Sequence, residues 1–82
     1  ENVESLGGTM VLEPGGTGLC RATPCTVQFR MPPGSGSYEV LSDTMSLGTY
    51  PAGETVTLGS FYNGHTFNVK GAGVAPAYFH VQ

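Results

Sequence analysis

The sequence has no tryptophan, only three cationic residues and only two cysteines in 82 positions. Each scarcity closes off a class of function. Arg21, Arg30 and Lys70 are too few and too scattered to follow a phosphate backbone, so no nucleic acid partner is expected. No apolar run approaches the roughly 18–20 residues of a membrane span, so none is expected. No charged segment followed by an apolar one stands at the amino end, and any secretory leader is expected to have been removed already. Helical periodicity is missing too, since no apolar stripe persists for two turns.

What is present is glycine, proline and small polar side chains. Thirteen glycines and six prolines accompany 39% apolar residues and a net charge of −3. The length suits one small domain, which buries about 60–65% of its unfolded surface and so has a thin stability margin. Charged residues make up 11%, against about 25% in an ordinary soluble domain. Threonine, serine and glycine take their place at the surface. That balance, with an even cysteine count, points to an extracellular, cell-surface or virion setting. The chain begins at Glu1 without Met and is expected to be processed or excised. Asn2, Asn63 and Asn68 all lack the Ser or Thr of a glycosylation acceptor.

Apolar and polar residues alternate with period two along most of the chain. Strands are expected over 9–13, 25–31, 37–42, 45–50, 54–60, 65–70 and 77–82. In the cleanest, Cys25, Val27, Phe29 and Met31 share one face. Turn signals recur about every ten residues, the spacing of a sandwich or small barrel. The expected fold is all-β: a small antiparallel β-sandwich or compact barrel of six to seven strands. Residues 1–8 are expected to form a flexible or exchanged arm, and 9–82 a single β domain.

Cys20 and Cys25 flank Arg21 to Pro24, read as a four-residue hairpin turn with a disulfide between cross-strand neighbours. Free thiols and metal ligation are the alternatives. Pairing the last two strands about the centre of their loop sets Phe67 opposite Phe79 and Val69 opposite Ala77 on the core side. Asn68 then faces Tyr78, and Thr66 faces His80, on the solvent side. His65 falls inward and His80 outward.

Chemistry is hard to find. The carboxylates Glu1, Glu4, Glu13, Glu39, Glu54 and Asp43 stand singly, where general acid–base work needs two groups aimed at one point. There is no G-x-S-x-G elbow. Gly15 to Gly18 lacks the lysine and helix of a phosphate loop. Cys20, Cys25, His65 and His80 make a nominal zinc set, but their spacing is not that of a finger. Lys70, the single lysine, has no marked asparagine partner for a crosslink. No catalytic residue, cofactor or metal is expected.

Aromatics are the other resource. Tyr62 beside Asn63, and Tyr78 beside His80, are candidate platforms. With Thr66 and Asn68 they form the candidate contact face. The run Cys20-Arg21-Ala22-Thr23-Pro24-Cys25-Thr26-Val27, followed by a Pro-Gly turn and Ser37-Tyr38-Glu39-Val40, resembles PEGA-type surface modules. Those are small β-sandwiches with a Thr-Pro turn before a strand. The similarity covers about a quarter of the chain, and the Pro-Glu-Gly-Ala signature is absent.

The expected role is a non-enzymatic structural module on the outside of a particle or cell, as a virion decoration or surface-assembly subunit. Its partner would be a protein lattice or another copy, because assembly adds burial to a marginal core and edge strands accept a partner strand. The alternatives are an extracellular glycan-binding or adhesion module, and a small secreted inhibitor that presents Arg21.

Overall fold

Alternation decides which side of each strand is buried. In Cys25–Arg30, Cys25, Val27 and Phe29 are buried while Thr26 and Gln28 are half-exposed and Arg30 is exposed. The computed structural model describes residues 2–5, 8–71 and 73–81. The carboxyl-terminal residue of the last expected strand, the middle of the loop before it, and positions 1, 6 and 7 of the expected arm lie outside the described residues.

Nine strands are described: β1 (Asn2–Ser5), β2 (Gly8–Leu12), β3 (Thr17–Cys20), β4 (Cys25–Arg30), β5 (Ser37–Ser42), β6 (Met45–Pro51), β7 (Thr55–Phe61), β8 (His65–Lys70) and β9 (Ala77–Val81). They form a six-stranded sheet, β1-β3-β9-β8-β5-β6, and a three-stranded sheet, β2-β4-β7. This is the small all-β sandwich that the alternation predicts. Met10, Leu12, Val27, Phe29 and Met31 of the smaller layer meet Val40, Phe67, Val69, Ala77 and Phe79 of the larger one. Phe61 closes the core, its ring centre 5.5 Å from Phe67 and 5.9 Å from Phe79. Among the described residues no helix is long and apolar enough to cross a membrane.

The strand count exceeds the expected six to seven. β1 uses residues 2–5 of the expected arm, and β3 occupies a stretch that reads as a turn. The reason for missing β3 is Gly18, an inward position with no side chain to mark the alternation. The space is needed: a Cβ there would lie 2.7 Å from Leu12 Cδ2 and would also strike Met10 Sδ.

The pairing is not all antiparallel. β1–β3, β2–β4 and β3–β9 are parallel. From β1 to β4 the chain crosses from one sheet to the other at every turn. Strands that are successive in sequence therefore face each other across the core, and alternate strands become parallel neighbours. The Cys20–Cys25 segment is consequently not a hairpin. Its ends lie in different sheets, and the disulfide (Cα–Cα 6.1 Å) joins the two layers at one end of the sandwich.

The final hairpin pairs His65 with Phe79, Thr66 with Tyr78 and Phe67 with Ala77, two residues away from the centred register. The shift is even, so every side chain keeps its expected face. The β2–β3 turn explains it. Gly15 N donates to Ala75 O at 3.0 Å and Tyr78 N to Gly16 O at 3.0 Å, which pins the β8–β9 loop on its β9 side.

One sequence pattern occurs at two edges. Ser46-Leu47-Gly48-Thr49-Tyr50 in β6 and Thr57-Leu58-Gly59-Ser60-Phe61 in β7 each carry a bulge at Leu-Gly, where the register slips. The glycines have φ of 119° and 143°, a region unfavourable to other residues. In each strand the aromatic two places on lies over its own glycine: a Cβ at Gly48 would be 3.0 Å from the Tyr50 hydroxyl, and one at Gly59 would be 3.7 Å from Phe61 Cζ. Bulges bend an edge and interrupt its row of free backbone groups. Neither β6 nor β7 therefore offers a long flat edge to an incoming strand.

All strands run between two ends of a body measuring 35 × 21 × 18 Å. The disulfide end gathers the loops at 21–24, 43–44 and 62–64. The opposite end gathers those at 13–16, 31–36, 52–54 and 73–76.

Candidate contact face

The register of the large sheet aligns its outward side chains in rows. Thr17, Tyr78 and Thr66 share one row across β3, β9 and β8. Leu19 and His80 share the next, and Asn68 sits beside Leu41 on the β5 side. The Tyr78 and His80 rings lie nearly parallel, centres 6.4 Å apart at 14°. Tyr78 is 44% exposed in the middle of the sheet. Within β3, β9 and β8 these rows carry no Asp, Glu, Lys or Arg, and the second row continues to Glu4 of β1, the register partner of Leu19. The nearest described pair is Lys70 with Glu39, 3.9 Å apart and towards the far end. Thr66, Asn68, Tyr78 and His80 thus share the outward face of the large sheet.

Tyr62 and Asn63 belong elsewhere. They sit in the β7–β8 loop at the disulfide end, with Tyr62 65% exposed. Gly64 brings this loop against β9, since a Cβ there would be 2.9 Å from Phe79 O. The loop thereby borders the His80 margin of the face.

The remaining candidates are dispersed. Cys20 and Cys25 are bonded to each other and so withdrawn from ligation or thiol chemistry. Among the described residues no three His, Cys, Asp or Glu side chains gather to hold a metal ion. Lys70 is exposed beside Glu39. Arg21 stands in the disulfide loop at the end of the sandwich.

Two features lie outside the sequence-based expectations. Ser42 Oγ and His65 Nδ1 are 3.0 Å apart, and the His65 ring meets Phe61 edge-on at 4.8 Å. Ser42 is 8% exposed, so the pairing satisfies a buried hydroxyl. The β5–β8 pairing, invisible in either segment alone, brings them together. The second feature is a groove of about 320 Å³ at the end opposite the disulfide. Pro14, Met31, Pro32, Pro33 and Val74 form its apolar walls. Arg30 Nη1 and Glu13 Oε1, 3.0 Å apart, form its lip.

Comparison of the chain with protein-family models, curated proteins and solved structures finds no match.

Proposed function

We propose that this domain is a non-enzymatic assembly module that docks through the outer face of its six-stranded sheet, packing onto a neighbouring copy or a protein lattice outside a particle or cell. The observation that carries the reading is the composition of that face. An exposed aromatic pair stands at the centre, threonine, leucine and asparagine surround it, and the charged residues of the sheet's register rows lie towards its margins, Glu4 on the β1 edge and Lys70 with Glu39 towards one end. Depletion of charge at the middle and enrichment in tyrosine characterise protein interfaces. The disulfide supports an oxidising setting. Light scattering coupled to size exclusion over a wide concentration range tests the proposal. The wild-type domain is expected to associate, and Tyr78→Asp to remain monomeric with an unchanged melting curve. Equal association of both proteins counts against the face.

The flat Tyr78–His80 pair favours one second reading, a carbohydrate platform, because a sugar ring stacks on such a surface. Oligosaccharide titration followed by NMR checks it: shifts centred on Tyr78 and His80 support it, and none at millimolar sugar rejects it.

A further inference from the structure

The first and last strands lie in one sheet and run in one direction. In the order β1-β3-β9 all three are parallel, and β3 alone separates β1 from β9. Asn2 stands level with Thr17 and Tyr78, and Ser5 with Cys20 and Val81. The chain therefore enters β1 at the groove end and leaves β9 at the disulfide end. We infer that the domain is a tension-bearing link: load applied between its two chain ends is carried as shear across the parallel β1–β3 ladder, which acts as a mechanical clamp.

The direction of load decides how a ladder fails. Ladder hydrogen bonds lie across the strands. Strands dragged past each other lengthwise load all of these bonds at once, so they must give way together. Strands pulled apart from one end lose them one after another. Tension that draws Asn2 beyond the groove end and Val81 beyond the disulfide end moves β1 and β9 in opposite directions along their own axes. The ladders between them are then sheared.

The anchoring of each strand locates the clamp. Among the described residues β1 pairs only with β3, at the edge of the sheet. β9 is held by β3 on one side and β8 on the other, and it buries Ala77 and Phe79 in the core. β3 cannot follow β1 outward. Gly15 N donates to Ala75 O and Tyr78 N to Gly16 O, which ties the entry of β3 to that of β9. At its other end Cys20 is bonded to Cys25 of the second sheet. Once β1 is lost, β2 offers less resistance. It starts at the disulfide end, Gly8 level with Cys25, so a pull towards the groove end folds it back and peels it from β4 pair by pair. The inference goes beyond the assembly reading and does not depend on the contact face.

Single-molecule force spectroscopy at constant force tests it one domain at a time, so association does not enter. Three pulling geometries are compared: between the two chain ends, between the amino end and a handle at Val74→Cys, and between a handle at Thr9→Cys and the carboxyl end. Val74 and Thr9 are exposed, and the native cysteines are buried and bonded, so only the new thiol takes the handle. Val74 lies at the groove end just before β9, so this handle loads β1 and β9 from the same end and the ladders peel. The Thr9 handle leaves β1 unloaded. Each variant is also pulled end to end, so a change in stability cancels from the ratio. Folded lifetimes under end-to-end load should exceed those in either other geometry by at least about tenfold, because a tenfold rate change needs only about one hydrogen bond of added barrier. A smaller ratio for the Val74 geometry overturns the shear reading. A smaller ratio for the Thr9 geometry takes the clamp away from β1 and overturns the inference as well.

Discussion

Replacing Cys20 and Cys25 together by alanine removes a covalent link between the two sheets. The bonded cysteines are five positions apart, and closing so short a ring restricts the unfolded chain by about 2 kcal/mol. Both side chains are fully buried, so losing two sulfur atoms from the core adds roughly 1.5 kcal/mol at about one methylene each. The expected loss is about 3–4 kcal/mol. A domain of this length shifts about 4–8 °C per kcal/mol, so the melting temperature should fall by at least about 12 °C. Far-UV circular dichroism during urea unfolding is the assay, because the chain has no tryptophan to report by fluorescence. The paired serine variant should be less stable again, because it buries two hydroxyl groups that need new partners. Since the sulfurs are inaccessible, mild reductant should leave the native protein oxidised until denaturant is added. An alanine pair within about 1 kcal/mol of wild type would refute the reasoning, because the bridge would then contribute little to holding the layers together.

Gly18→Ala pushes a methyl group into Met10 and Leu12 and should cost about 1–3 kcal/mol in urea unfolding; a neutral result would mean that the layers separate easily there. Phe67→Ala empties a fully buried position between the sheets and should cost about 3–5 kcal/mol, enough to leave much of the protein unfolded by circular dichroism. Gly59→Ala forces a side chain into the bulge at φ 143° and should lose about 1–3 kcal/mol, whereas Ser60→Ala beside it should change stability by less than about 1 kcal/mol. Glu13→Gln weakens a half-exposed ion pair with Arg30 and should shift the unfolding free energy by under about 1 kcal/mol, with even less effect in high salt.

Much of the core was legible because its strands announce themselves. The alternation in Cys25–Arg30 leaves little doubt about which faces turn inward, and the final hairpin kept its faces despite a two-residue shift in register. That tolerance has a simple cause: an even slip preserves the pleat. Tyr78 and His80 were placed outside for the same reason. β3 was missed because an inward glycine leaves no mark in the pattern, although its missing side chain is what lets Met10 and Leu12 pack closely. The Leu-Gly bulges were written twice in the chain, but they gain meaning only once β6 and β7 are known to be edges.

By itself, the order of residues determined that this chain forms strands, that two cysteines lie near each other, and that only three cationic residues are spread along it. Those properties are local or compositional. The layer to which each strand belongs is a matter of long-range packing, and only the tertiary structure decided it. So did the change of the cysteine pair from a hairpin brace to a link between sheets. The groove follows the same logic: Glu13, Arg30 and Val74 are far apart in the chain and meet because three separate connections end at one pole of the sandwich.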